Sequence, residues 1–356
     1  MIYNFNAGPG ILPPDVLQQA AQAVTDYNGS GLSLLEIGHR TTPFMDIMEE
    51  ARSLVKSLMN LSPEKEVLFL QGGATMQFMQ VPMNLLGGQG VAAYTDTGTW
   101  SSKAIKEAKL FGHVEVVASG KENSFTKIPS DISCNETASY LHITTNETIA
   151  GTQWHTIPYQ DKVPLVADMS SDVFSRQLDF NRFGLIYAGA QKNAGAAGVT
   201  MVVLNPDILG KTDRIIPSIL DYRLHVKEGS MLNTPPVFAV YVVLLTLRWL
   251  HQQGGIAAME QLNEKKSSLL YQTLESTSLF ELPVLPDSRS RMNVVFTMKD
   301  PEPEKMFMQY CKDAGIYGIK GHRSVGGFRA SLYNALPLSH VEVLVDLIRD
   351  FAQKNG

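Results

Sequence analysis

One lysine stands almost alone among small residues in Ala188-Gly189-Ala190-Gln191-Lys192-Asn193-Ala194-Gly195. Small neighbours leave room for a bulky planar group against the backbone. They also bury the amine and lower its pKa, and a lysine desolvated in this way suits Schiff-base chemistry. The plainer alternative is a solvated lysine on a turn. Upstream, Val166-Ala167-Asp168 puts an acid at the end of an apolar run that reads as a buried strand. In an open α/β sheet the strand C-termini form the ligand crevice, and a carboxylate there holds a ring nitrogen protonated. Taken alone, Asp168 would read as a helix cap or an Asx-turn.

Three further places follow apolar runs. Gln71-Gly72-Gly73-Ala74-Thr75 feeds a strand through two glycines into a helix N-terminus, where free N–H groups attract phosphate. It is neither a Walker loop nor GxGxxG, so a tight strand-to-helix turn is an equal reading. Trp100, in Thr97-Gly98-Thr99-Trp100-Ser101-Ser102, is either core packing or a stacking platform for a planar ligand. Thr148, in Asn146-Glu147-Thr148, either offers its hydroxyl to a ring substituent or caps a turn. Cations gather at His39-Arg40, at His322-Arg323 and at Arg329, the last two groups flanked by Gly321 and Gly326-Gly327. Glycine flanks favour close backbone approach to a ligand over an ordinary solvated surface.

The elements that must hold these residues are legible from hydrophobic spacing. Pro13-Pro14 followed by Leu17, Ala20, Ala21 and Val24 predicts an amphipathic helix with that apolar face. A second helix presents Phe44, Ile47, Met48, Ala51, Leu54, Val55 and Leu58. Continuous apolar runs at 67–70, 90–94, 140–144, 164–167, 184–187 and 200–204 predict strands covered on both faces, the pattern of a mostly parallel α/β sheet. Beyond residue 255 the spacing predicts helices over 256–277 and 304–314, strands over 292–297 and 328–332, and a final helix opened by a Ser339/Glu342 capping box worth roughly 1 kcal/mol. A chain of 356 residues exceeds one usual core. The division expected is a large α/β domain over 15–255 and a small α+β domain formed by 1–14 and 256–356.

Composition narrows the function classes. Thirty basic and 35 acidic residues give a net charge of −5 with no segment of five like charges in a row, which argues against nucleic acid or anionic lipid as a partner. The longest uncharged run worth testing as a membrane span, Val237–Leu247, closes at Arg248, far short of the about 20 residues a bilayer needs. Two cysteines, Cys134 and Cys311, form no CxxC pair and no disulfide framework. With no Lys or Arg before Arg40 to serve a signal peptide, the expected compartment is the cytoplasm.

Taken together the chain resembles the phosphoserine aminotransferase family, in the fold-type I, class V branch of pyridoxal-phosphate enzymes. The matching segments run nearly end to end: FNAGPGILP at the start, GHR at 38–40, QGGATMQF at 71–78, TGTWS at 97–101, NETIAG at 146–151, ADMSSDVFSR at 167–176, AGAQKNAG at 188–195, NTPP at 233–236 and KGHRSVGGFRASLYNA at 320–335. The resemblance implies pyridoxal 5'-phosphate joined to Lys192, with Asp168 at the pyridine nitrogen, Trp100 stacked on the ring and Thr148 facing its hydroxyl. It implies that Ala74, Thr75 and Gln191 hold the phosphate, with Asn233 and Thr234 from the partner of a homodimer. Some members carry an arginine where this chain has Thr75, so here N–H groups and hydroxyls carry more of that phosphate. Arg329 is expected at the substrate α-carboxylate, and Arg40, His322 and Arg323 at the distal phosphate, with His39 as a helper.

The implied substrates are L-glutamate and 3-phosphohydroxypyruvate, which react in turn to give 2-oxoglutarate and O-phospho-L-serine, as in L-serine biosynthesis. A related 2-oxo acid on the route to vitamin B6 is a candidate second substrate. The phosphate brings about −1.5 to −2 charges beside a carboxylate, a load that the cations at 40, 322, 323 and 329 would roughly neutralise. Rival readings are an alanine- or serine–glyoxylate transaminase, a desulfurase or lyase, which needs a mobile cysteine, and an inert binding scaffold. A nicotinamide dehydrogenase is excluded by the lack of GxGxxG after a strand. No metal site is expected.

Overall fold

A computed structural model describes residues 1–355. The chain runs through β1 (Tyr3–Asn4), α1 (Pro14–Thr25), α2 (Thr42–Leu58), β2 (Glu66–Leu70), α3 (Gly73–Leu85), β3 (Val91–Asp96), α4 (Thr99–Ala108) and β4 (His113–Ser119). Next come β5 (Tyr140–Thr144), the small pair β6 (Asn146–Glu147) and β7 (Thr152–Gln153), then β8 (Leu165–Asp168), β9 (Leu185–Gly189) and β10 (Thr200–Leu204). After α5 (Tyr222–Lys227), α6 (Val237–Gln252) and α7 (Gly255–Glu275) follow β11 (Phe280–Glu281), β12 (Asn293–Met298), α8 (Glu304–Asp313), β13 (Ile316–Tyr317), β14 (Phe328–Ser331) and α9 (Leu338–Asn355).

Seven strands form the central sheet in the order β2-β10-β9-β8-β5-β3-β4. The run from β9 to β4 is parallel, and β10 is antiparallel to both β9 and β2. Strand β2 therefore shares the direction of the parallel set. The C-terminal ends of β2, β3, β5, β8 and β9 all open on one edge, where an α/β sheet places its ligands.

The continuous apolar runs are explained by burial on both faces. Phe69, Ile143, Ala167, Ile186 and Met201 face a core shared with α1, α2 and α6, while Leu68, Tyr140, Val166, Tyr187 and Val202 face one shared with α3 and α4. Side chains alternate across a strand, so a strand sandwiched between helices needs apolar residues at every position.

A third core is built from α7, α8, α9 and the antiparallel strands β11-β12-β14. Phe5, fully buried, belongs to it, and β1 pairs in parallel with β13. The first residues of the chain thus pack with the last hundred.

Two expectations need correction, and one strand was not expected. Helix α1 buries Val16, Ala20 and Ala23 and leaves Leu17, Ala21 and Val24 exposed. Both stripes have helical spacing, and packing against α6 selects the first. Helix α9 begins at Leu338, directly after Pro337, whose carbonyl accepts from His340 N at 3.1 Å; Ser339 lies inside the first turn and is not its cap. Strand β4, at the sheet edge and largely exposed, lacks the apolar run that marks its neighbours.

Candidate active site

The loops leaving that sheet edge surround a cavity of about 580 Å³. This is the size of an ordinary cofactor or substrate pocket. Lys192 enters from the turn after β9, and Asp168 is the last residue of the adjoining β8. Lys192 Nζ donates to Thr148 Oγ1 at 2.9 Å and stands 5.6 Å from the centroid of the Trp100 ring. Burial pushes the amine down to about 8; the Arg329 charge adds to this, and the Asp168 and Glu147 charges oppose it. A substantial fraction is therefore neutral near physiological pH, as a proton-accepting amine requires.

Asp168 is buried, and burial raises its carboxyl above the usual range against the pull of Ser170 and Lys192. Its Oδ1 accepts from Ser170 N at 2.9 Å, which fixes the carboxylate at the strand end. Further round the same turn, Asp172 and Arg176 form a buried pair at 3.4 Å, and Gln153 Nε2 donates to the same carboxylate oxygen at 3.1 Å. That pair shapes the loop and does not line the cavity.

Gly72, with φ +95°, caps α3 without any side-chain partner, and a Cβ on it would lie 2.5 Å from Met76 Cβ. The N-terminal turn of α3 at Gly73, Ala74 and Thr75 faces the cavity, an uncapped helix end ready for an anion. Gln191 lines the same space.

The stacking wall is anchored by a glutamate that sequence reading left without a role. Glu147, fully buried, accepts from Trp100 N at 3.1 Å and Ser101 N at 2.9 Å at the start of α4. Burial pushes its carboxyl up to about 7 against those two N–H groups. Gly98 leaves the room this requires, because a Cβ there would lie 2.5 Å from Glu147 Cδ. Trp100 Nε1 is buried without a partner.

Arg329, on β14, donates from Nη1 to the Thr148 carbonyl at 3.2 Å, while its buried Nε has no partner. His322 also lines the cavity; its Nδ1 accepts from Ser324 N at 3.2 Å. Burial lowers its pKa, and the Arg329, Arg323 and Lys103 charges lower it further. Lys103, which sequence reasoning missed, lines the wall one turn beyond Trp100.

Not every expected residue converges within one chain. Arg323 and Arg40 are exposed and His39 is half-buried, the latter two in the turn before α2, and all three lie outside the cavity wall. Asn233 and Thr234 sit beside the rim through Gln71: Asn233 Nδ2 donates to Gln71 Oε1 at 2.9 Å, and Gln71 Nε2 donates to the Thr234 carbonyl at 2.7 Å. Neither cysteine lines the cavity, and burial raises both thiols, Cys311 to about 12, so neither offers a thiolate to this site. Among the described residues there is no cluster of metal-ligating side chains, and no helix is long and apolar enough to cross a membrane.

Residues 2–344 match the family model described as aminotransferase class-V. The chain belongs to the class-V aminotransferase family. Among similar proteins, a phosphoserine aminotransferase of Flavobacterium psychrophilum is 51% identical over 353 residues, covering 99% of each chain. The solved phosphoserine aminotransferase of Bacillus circulans subsp. alkalophilus superposes on this class-V chain with a TM-score of 0.98 at 42% identity, covering 100% of this chain and 99% of that one. A pyridoxal-phosphate-bound phosphoserine aminotransferase from Trichomonas vaginalis gives 0.93 at 35% identity, covering 98% and 100%. The fold read from the sequence, a fold-type I α/β architecture with a mostly parallel sheet, agrees with these matches.

Proposed function

We propose that this class-V aminotransferase transfers the amino group of L-glutamate to 3-phosphohydroxypyruvate, giving 2-oxoglutarate and O-phospho-L-serine, with pyridoxal 5'-phosphate as cofactor. The observation that carries the reading is the meeting in one cavity of a desolvated lysine, a buried strand-end aspartate, a tryptophan face and an arginine. The chain's own groups fit the cofactor: an uncapped helix end for its phosphate, a planar wall for its ring and the unpartnered Trp100 Nε1 beside it.

Bound there, pyridoxal phosphate supplies a carbonyl carbon to carry the amino group and an electron-withdrawing ring to take up the electron pair left at Cα. Lys192 Nζ removes the Cα proton and later delivers one to Cα of the product, and Thr148 Oγ1 orients that nitrogen. Asp168, buried at the strand end, would hold positive charge at the pyridine nitrogen, its burial strengthening the interaction. The N–H groups of Ala74 and Thr75, the Thr75 hydroxyl and Gln191 hold the cofactor phosphate. Trp100, on the cavity wall, would offer its indole face to the cofactor ring. Arg329 takes the substrate α-carboxylate in a planar fork, and His322 lines the wall that faces the distal phosphate.

Asn233, Thr234, His39, Arg40 and Arg323 complete this site from the second subunit of a homodimer in our reading, since none of them lines the cavity of its own chain. Residues 15–255 form the large domain and 1–14 with 256–356 the small one, in the cytoplasm, where unpaired cysteines are at home. The test is a coupled assay with L-glutamate as donor. Turnover with 3-phosphohydroxypyruvate well above that with glyoxylate supports the reading; preference for glyoxylate replaces it with the glyoxylate-type transaminase.

A further inference from the structure

The distal phosphate of the proposed substrate needs positive charge on the cavity wall, and within one chain that wall is poorer in it than the sequence suggests. Arg323 and Arg40 lie outside it, and His322 is held toward its neutral form. Lys103, exposed on α4, adds a cation to that wall from the same chain. It lines the cavity together with His322 and Arg329, and its Nζ stands 4.4 Å from the centroid of the Trp100 ring. Contact with the ring face restricts where the ammonium goes, as a cation over an indole is attracted to it. Helix α4 is itself fixed at its start by Glu147. Among the described residues no carboxylate pairs with Lys103, whereas eleven other ion pairs form. Its charge is already felt by His322, so the two groups share one region of the wall.

We infer that Lys103 is a specificity-determining residue, whose ammonium pairs with the distal phosphate of the substrate and favours it over the distal carboxylate of glutamate. The inference rests on the proposed function and deepens it. A phosphate of about −1.5 to −2 charges gains more from an added point charge than a carboxylate of −1 does. Both amino acids present the same α-amino and α-carboxylate groups, so a residue acting only at the distal end separates them.

The test uses holoenzyme in single-turnover half-reactions, followed by the absorbance of the cofactor, with O-phospho-L-serine and with L-glutamate separately. For Lys103→Met the half-saturating concentration of O-phospho-L-serine should rise about tenfold, as expected for loss of one charge-assisted contact, and that of glutamate by no more than about twofold. The limiting rate and the resting cofactor spectrum should stay as in the wild type, and Lys103→Arg should recover most of the phosphoserine effect. Inorganic phosphate should also inhibit Lys103→Met more weakly than wild type. Unchanged half-saturation for O-phospho-L-serine overturns the inference. So does an equal rise for both amino acids with an altered cofactor spectrum, which would make Lys103 a support for Trp100. A wild-type holoenzyme that reacts with glutamate but not with O-phospho-L-serine overturns the proposed function, and the inference with it.

Discussion

Lys192 Nζ donates to Thr148 Oγ1 at 2.9 Å, and the carbonyl of the same threonine accepts from Arg329 Nη1 at 3.2 Å. One residue therefore ties the amine at the end of β9 to the arginine on β14, in the C-terminal core. Its neighbours extend the tie: Asn146 Nδ2 donates to Ser171 Oγ and Asn293 Oδ1, both at 2.8 Å, and Glu147 holds α4. Three consecutive residues thus set the relative positions of the amine, the stacking wall and the substrate arginine.

Replacing Lys192 by Ala should lower kcat by at least about 10²–10⁴-fold, the range of a lost general base. In the wild type, kcat should climb with pH and level off above about 8, because the neutral amine accepts the proton. A flat profile from pH 6 to 10, or normal turnover by a folded Lys192→Ala protein, counts against the proton-carrying role.

Arg329→Ala should raise KM for both substrates by about 10- to 100-fold, as loss of a paired guanidinium does, with a smaller change in kcat. The α-carboxylate is common to both half-reactions, so an effect confined to one substrate assigns the arginine elsewhere.

Glu147 should leave a signature in stability against pH. Its carboxyl is raised from an ordinary 4.5 to about 7, so the folded chain holds a proton there that the unfolded chain has lost. The stability this brings is full below about 4.5 and is lost as pH rises to about 7. Glu147→Gln should flatten that stretch of a urea-denaturation series. Gly98→Ala, by driving a methyl group into the carboxylate, should lower the denaturation midpoint and weaken cofactor retention; a Gly98→Ala protein matching wild type in both speaks against the anchoring role.

Lys266 is fully buried and donates to the carbonyls of Leu332, Tyr333 and Leu336 at 3.0, 2.8 and 3.2 Å. Its pKa falls from 10.5 to about 7 through burial. Between these values the unfolded chain binds a proton that the folded one lacks, so its share of stability grows as pH rises from about 7 to 10.5. Lys266→Met should destabilise by about 1–3 kcal/mol through stranded carbonyls and should reduce that slope. An unchanged slope would show that the amine stays charged throughout.

Mixing Lys192→Ala and Arg40→Ala proteins tests the shared site. If Arg40 serves the partner's cavity, random subunit exchange should restore about a quarter of wild-type activity, since half the dimers carry one intact site of two. No recovery after verified exchange places Arg40 in the cavity of its own chain.

The site residues on strand-end loops were legible because their surroundings are local: Lys192 among small residues, Asp168 closing an apolar run, Gly72-Gly73 opening a helix. The sheet was legible for the same reason, since strands covered on both faces advertise themselves by composition. Glu147 and Lys103 were not. Glu147 meets Trp100 across 47 positions of sequence, and nothing in the motif says that its carboxylate turns toward a backbone and away from solvent. Lys103 gains meaning only from the cavity on which its helix happens to face. The orientation of α1 was equally hidden, because the stripes through Val16 and Leu17 differ by one position and α6 alone decides between them.

The opening segment is tied at two points: the Ala7 carbonyl accepts from Tyr333 Oη at 2.6 Å, and Gly10 N donates to the Gln191 carbonyl at 2.7 Å. Between those knots Gly8 lies alongside Lys192, where a methyl group on it would sit in van der Waals contact, 3.5 Å from Cγ. A strap only a few residues long thereby joins the C-terminal core to the backbone beside the reactive lysine. Trimming that strap would take a wall off the reaction chamber, not shorten a loose tail.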